Sequence, residues 1–223
     1  MTVKLFFEAV FKYILGIVLV GLLIFLPAGT IKYFNGWLFM IILFIPMFIA
    51  GIVMMIKNPE LLKSRLKAKE KQKTQGKIIK FSALMFIVGF IIAGLDYRYS
   101  WFKMPSIVSY IFSFIFILGY ILFGEVLREN TYLSRTIKVV KGQKVIDKGL
   151  YKIVRHPMYT ATLLMFLSMP LILGSLISFI IFLIYPILII VRIINEEKIL
   201  EEKLKGYKDY KKKVKYRLIP FIW

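Results

Sequence analysis

Apolar residues in this chain come in long unbroken runs, without the three-to-four-residue alternation of a surface helix or the strict alternation of a half-buried strand. Four runs, at 13–28, 37–56, 78–95 and 107–127, each approach the ~20 apolar residues that carry a helix across a bilayer. Lys12 stands at the edge of the first, where a long cationic side chain reaches back to water. A fifth apolar region, 161–191, is 31 residues long. As one straight helix it would extend ~46 Å, more than a ~30 Å hydrocarbon core accommodates even with tilt. Pro170 and the pair Gly174-Ser175 divide it and favour a turn. The pattern predicts an all-α integral membrane protein: four transmembrane helices, a C-terminal helical hairpin over 159–193, and a cytoplasmic C-terminal helix. It divides the chain into a membrane region, 1–127, with a basic loop at 57–80, and a second region, 128–223, that contains the hairpin.

Composition agrees. Of 223 residues, 59% are hydrophobic and the mean hydropathy is +0.76, too apolar for an ordinary soluble domain. The first run lacks a basic leader and a clean small-residue cleavage site, so it reads as a membrane helix and not as a signal peptide. The net charge of +20 is distributed by topology. With a cytoplasmic N-terminus and alternating helices, 29 of the 32 basic residues fall inside, leaving Lys32, Arg98 and Lys103 outside. A hairpin keeps the basic tail inside; a single crossing would put it outside. The charge therefore points to the lipid bilayer as partner, with its anionic inner surface, and not to nucleic acid. The segment 57–80 reads as an interfacial, lipid-binding stretch, and "DYRYSWF" at 96–102 as an aromatic belt. Glu125 lies inside an apolar span, but Arg128 one turn on offers a local ion pair. The absence of cysteine excludes disulfide and thiolate chemistry and, with one histidine, argues against a metal site.

That histidine, His156, sits in "GLYKIVRHPMY" at the entrance to the fifth apolar region. Gly149 permits a turn, and Pro157 suits the first turn of a helix, where a missing N–H costs nothing. Arg155 and His156 thus fall at the start of the hairpin's first limb, where free backbone N–H groups favour an anion and a guanidinium grips a carboxylate or phosphate in two places. Taken alone the triplet is a weak signal, because an interfacial arginine is commonly a lipid anchor. The other limb strengthens it. Four of only 12 acidic residues, Glu196, Glu197, Glu201 and Glu202, follow the hairpin, with Arg192 on the face of Glu196. Lysines around them would serve equally to neutralise a solvated helix. A hairpin, however, brings this cluster beside Arg155 and His156, and such a mixture suits a ligand carrying both carboxylate and cationic groups.

"GLYKIVRHPMY", an apolar hairpin, then "RIINEEKILEEKLKGYKDYKKKVKYRLIPF" resembles the C-terminal half of the isoprenylcysteine carboxyl methyltransferase family, itself similar to membrane phospholipid methyltransferases. The resemblance covers about 138–223, and the preceding helices share with the family only their membrane character. It implies S-adenosylmethionine as methyl donor, bound in a cytoplasmic pocket that a lipidic methyl acceptor reaches from the bilayer. Carried over by position, Tyr151, His156, Pro157, Met158 and Tyr159 would line the cofactor site. A strand-like stretch of Gln143, Lys144, Val145 and Ile146 would meet adenosine. Glu196 matches a cofactor-binding glutamate, Glu197 beside it would meet cationic or ribose groups, and Arg192 matches an arginine assigned to the acceptor. Arg155 or Arg192 would orient an acceptor carboxylate. Where family members often carry glycine soon after the tyrosine of R-H-P-x-Y, this chain reads Thr160-Ala161.

Three activities stay open on sequence. The leading one is methyl transfer to the carboxylate of an isoprenylcysteine-like acceptor. The second keeps the donor but uses a lipid amine, which must first lose a proton. The third is a sterol-reductase-like oxidoreductase using NADPH, a family that ends in a similar R-H-P-x-Y segment but ordinarily has more membrane helices.

Overall fold

The computed structural model describes residues 3–66, 73–130, 132, 139 and 142–223. Every regular element among them is helical: α1 (Val3–Ala28), α2 (Phe34–Lys57), α3 (Pro59–Leu66), α4 (Lys73–Tyr99), α5 (Ser106–Glu129), one 3-10 turn (Gly149–Lys152), α6 (Pro157–Ile172), α7 (Leu176–Phe182), α8 (Ile184–Lys203) and α9 (Tyr207–Lys213). In hydrocarbon the backbone must find its hydrogen-bond partners within the segment, which makes helix the only form open to such apolar runs. Helices α1, α2, α4 and α5 enclose the four predicted runs, and each is long and apolar enough to cross a membrane. So is the near-continuous α7–α8 rod, Leu176–Lys203, of 28 residues. The protein is a multi-pass integral membrane protein.

Length and composition alone count the spans differently from four helices plus a hairpin. Five helices reach spanning length, while α6, with 16 residues, falls short of it. The chain does fold back between α6 and α7, but the limbs are unequal. The turn comes near the middle of the apolar region, and α8 continues past that region into the charged segment ending at Lys203. Gly174 makes the turn with φ +79°, a left-handed conformation that side chains disfavour, and Ser175 N donates to Pro170 O at 2.9 Å.

Packing orders the helices from lipid inward. On α1, Phe7, Phe11, Ile14, Val18 and Leu22 form an exposed stripe at three- and four-residue steps, as a lipid-facing helix requires. Helix α6 is covered on nearly all sides: Tyr159, Ala161, Met165, Met169 and Ile172 are all buried. It lies close against α5 at Gly119, where an added Cβ would come within 2.7 Å of Met165 Cγ and 3.2 Å of Ala161 O. Small residues permit such approach between membrane helices. Across the middle of the bundle, Phe39, Phe90, Phe116 and Phe182 are buried together in one apolar core.

Hydrogen bonds fix the level of each end of the hairpin. At the tip, Ser175 Oγ donates to Asp96 Oδ2 at 2.6 Å, and Phe102 N donates to Asp96 Oδ1 at 3.0 Å. Tyr33 OH donates to the carbonyl of Leu173. The tip therefore lies level with the aromatic stretch 96–102. At the opposite end, Gln75 near the start of α4 donates from Nε2 to Arg192 O at 3.4 Å. The start of α6 and the end of α8 thus open at the same end of the bundle. The segment 57–80 is shared chiefly between two helices. Part forms α3, while Gln75 through Lys80 belong to α4, where Gln75 is fully buried; residues 67–72 of that segment lie outside the described residues.

Candidate active site at the hairpin mouth

Where the limbs open, a cleft forms between α8, α9, the start of α6 and the coil at 143–147. Its cavity volume is about 100 Å³, with about 790 Å³ of unfilled space when the open mouth is counted. Small-molecule sites occupy ~300–1,000 Å³, so a ligand of nucleoside size would use the mouth as well as the floor. Gln143, Lys144, Val145, Ile146, Tyr151, Arg155, His156, Met158, Tyr159 and Glu196 all line it. Ten of the thirteen site residues inferred from sequence thus meet at one cleft. The stretch 143–146 is irregular backbone, not strand; no neighbouring strand is present among the described residues to pair with it.

The two adjacent glutamates face different surroundings. Glu197, 3% exposed, is ringed by cations. Its Oε1 accepts from Arg155 Nε at 2.7 Å and lies 3.3 Å from His156 Nε2. Its Oε2 accepts from Arg217 Nε at 3.0 Å and lies 3.8 Å from Lys211 Nζ. Glu196 is half-buried on the cleft wall, where it accepts from Tyr159 OH at 2.6 Å. That hydroxyl in turn accepts from Arg192 Nε at 2.8 Å. So Arg192, Tyr159 and Glu196 form a relay leading from the apolar part of α8 to the cleft, while Glu197 stands behind it as an electrostatic knot.

Arg155 belongs mainly to that knot. Besides Glu197, its Nη1 donates to Val214 O at 2.7 Å and to Lys215 O at 2.8 Å. The backbone follows: Arg155 N donates to Tyr216 O and His156 N to Arg217 O, both at 2.9 Å. These N–H groups, expected at the helix entrance for an anion, are instead taken by the C-terminal segment 214–217. Pro157 is buried as the first residue of α6 and does not line the cleft. Thr160-Ala161, where family members often carry glycine, does not hold α6 away from α5, because Gly119 on α5 leaves the room. Thr160 Oγ1 also donates to Leu218 O at 2.8 Å, a further tie to the tail. Glu125 pairs locally with Arg128 at 2.5 and 2.8 Å, as its spacing predicts.

Sequence reasoning missed part of the wall. Asn130, Tyr132, Leu200, Leu204, Tyr207 and Tyr210 also line the cleft. Asn130 Nδ2 donates to Tyr151 OH at 2.9 Å, and Tyr210 OH donates to Tyr151 O at 2.7 Å. A second apolar cluster, with Val126, Tyr151, Leu204, Tyr207 and Val214, supports them from below. Burial pushes the phenols of Tyr151, Tyr207 and Tyr210 well up, so they remain protonated near neutrality. The tail motif G-Y-x-x-Y was the available signal for the two tyrosines, but it carried no spatial information.

Fold and site together define a multi-pass membrane protein with a cleft of mixed polarity at one end of a helical hairpin. Residues 111–202, from within α5 nearly to the end of α8, match the isoprenylcysteine carboxyl methyltransferase (ICMT) family. That stretch is similar to the family; the match begins earlier than the sequence resemblance and stops before α9. The chain is also similar to a Delta(14)-sterol reductase of Mus musculus, with 28% identity over 121 residues, 48% of this chain. The aligned part spans 29% of that relative's length.

Proposed function

We propose that this protein is an S-adenosylmethionine-dependent membrane methyltransferase whose acceptor is the carboxylate of a membrane-embedded, isoprenylcysteine-like lipid. The observation that carries the reading is the relay Arg192–Tyr159–Glu196, which joins the apolar part of α8 to a cleft of mixed polarity. The family match over 111–202 supports it, since members of that family use this methyl donor.

The residues present suit the donor. S-adenosylmethionine, when bound, supplies an electrophilic methyl group on a cationic sulfur. Glu196 would hold its cationic groups, and Val145, Ile146, Leu200 and Leu204 offer an apolar wall for its base. Lys144 and His156 stand where a carboxylate can be met. An acceptor carboxylate is ionised at neutral pH and needs no general base. Arg192 would orient it, and the rate gain then comes from positioning and exclusion of water. The C-terminal segment, tied to Arg155 and Thr160, would help exclude that water.

Two other readings have a stated basis. A lipid-amine acceptor would need a base, and Glu196 is the carboxylate on the cleft wall to act as one. An NADPH-dependent reductase reading rests on the mouse relative. Calorimetry on detergent-solubilised protein separates donor classes: heat with S-adenosylhomocysteine is expected, whereas heat with NADPH alone would overturn the proposal. Labelled methyl groups released by mild base identify an ester; base-stable label would identify an amine product and reject the carboxylate acceptor.

A further inference from the structure

The buried tyrosines around the cleft differ in one respect. Tyr159 OH is bonded to both Glu196 and Arg192, Tyr151 OH to Asn130, and Tyr210 OH to the carbonyl of Tyr151. Tyr207 lines the same cleft and is only 4% exposed, yet its hydroxyl meets no hydrogen-bond partner among the described residues. A buried hydroxyl without a partner loses hydration and gains nothing in return, so such groups are rare and call for a reason. The ring itself is well held. Gly206, at φ +87°, reverses the chain after α8, Tyr207 N donates to Leu204 O at 3.1 Å, and the Tyr210 ring packs 5.7 Å away. The hydroxyl is therefore fixed in place by its scaffold.

We infer that the Tyr207 hydroxyl is a further ligand contact, donating a hydrogen bond to an acceptor oxygen of the nucleoside–amino acid ligand bound in the cleft. This rests on the reading of the cleft as an S-adenosylmethionine site and deepens it. A donor is what the position offers, because burial and the neighbouring charges of Glu197 and Glu196 keep the proton on the phenol. The oxygens of such a ligand are those of a carboxylate and of a ribose, with its two hydroxyls and ring oxygen, and each accepts from a phenol. The inference explains why a cleft whose other buried tyrosines are bonded within the protein keeps one hydroxyl in reserve. It also fixes opposite signs for two measurements, which a purely structural role would not do.

The experiment is Tyr207→Phe in the full-length, detergent-solubilised protein, with binding of S-adenosylhomocysteine measured by calorimetry and unfolding of the ligand-free protein by thermal melt. The variant is expected to bind roughly tenfold more weakly while its ligand-free melting temperature is unchanged or higher, since an unpaired buried hydroxyl is removed. Tyr210→Phe, which breaks a bond made within the protein, is expected to lower that melting temperature. 5′-Methylthioadenosine, lacking the amino-acid portion, locates the contact: an equal loss assigns it to the ribose, and a loss confined to S-adenosylhomocysteine assigns it to the carboxylate. Undiminished binding of both ligands by Tyr207→Phe would overturn the inference, as would a melting temperature lowered by several degrees, which would reveal a partner within the protein. If the unmodified protein itself fails to bind S-adenosylhomocysteine, the methyl-donor reading falls, a result distinct from failure of the variant alone.

Discussion

Two carboxylates are buried at opposite ends of the hairpin, and they are held by different means. Asp96, at the tip, accepts from one serine hydroxyl and one backbone N–H. Glu197, at the mouth, has Arg155, His156, Arg217 and Lys211 around it. The tip needs only to close, and neutral donors hold the turn against the α4–α5 connection. At the mouth three separate segments must be gathered around a cleft, the start of α6, the base of α8 and the C-terminal tail. A buried carboxylate with several cationic partners does that, because each partner's removal leaves another charge uncompensated in a poorly solvated place. The difference shows how one chain uses similar side chains for fastening at one end and for assembly at the other.

The sharpest way to break the comparison is Glu197→Ala. It leaves Arg155, His156 and Arg217 clustered without their anion, and we expect a loss of ~3–5 kcal/mol in stability together with activity, read by thermal unfolding in detergent. A melting temperature near that of the unaltered protein would mean the mouth is not held by this knot. Asp96→Ala should cost less, ~1–3 kcal/mol, since two neutral donors lose their acceptor. Ligand binding at the distant cleft should stay as it was; weakened binding would show that the two ends communicate. Glu196→Gln tests the cleft wall alone. Binding of S-adenosylhomocysteine should fall about tenfold, as a charge-assisted contact becomes a neutral one, while stability hardly changes because the amide oxygen still accepts from Tyr159. Smallest of all is Glu125→Gln, which removes a local surface pair on α5; no measurable change in melting temperature or turnover is expected.

Much of the architecture was legible because membrane insertion depends on quantities read along one dimension. Run length and hydropathy located α1, α2, α4 and α5 to within a turn or two at most ends, and the excess length of 161–191 required a fold-back. Pro170 and Gly174-Ser175 marked the place of that fold-back but not the lengths of its limbs: the turn at Gly174 leaves α6 short, and α8 runs on into charged sequence. The cleft was legible in part. Fold-back alone brought Arg155 and His156 towards the glutamates, but two neighbours on a helix point ~100° apart, and nothing in "NEEK" tells which faces the cavity. Arg155 reads as an anion clamp until its Nη1 is seen to donate to Val214 O and Lys215 O in the tail, some sixty positions on, while its Nε is held by Glu197.

What the sequence determined by itself was therefore the membrane character, the fold-back and the end of the bundle where ionisable groups collect, because bilayer thickness and the cost of burying charge act on any helix regardless of its neighbours. The tertiary structure decided which of those groups neutralise one another and which remain turned to the cleft. Pairing among buried charges depends on distances of a few ångströms between segments far apart in the chain, and only packing sets those.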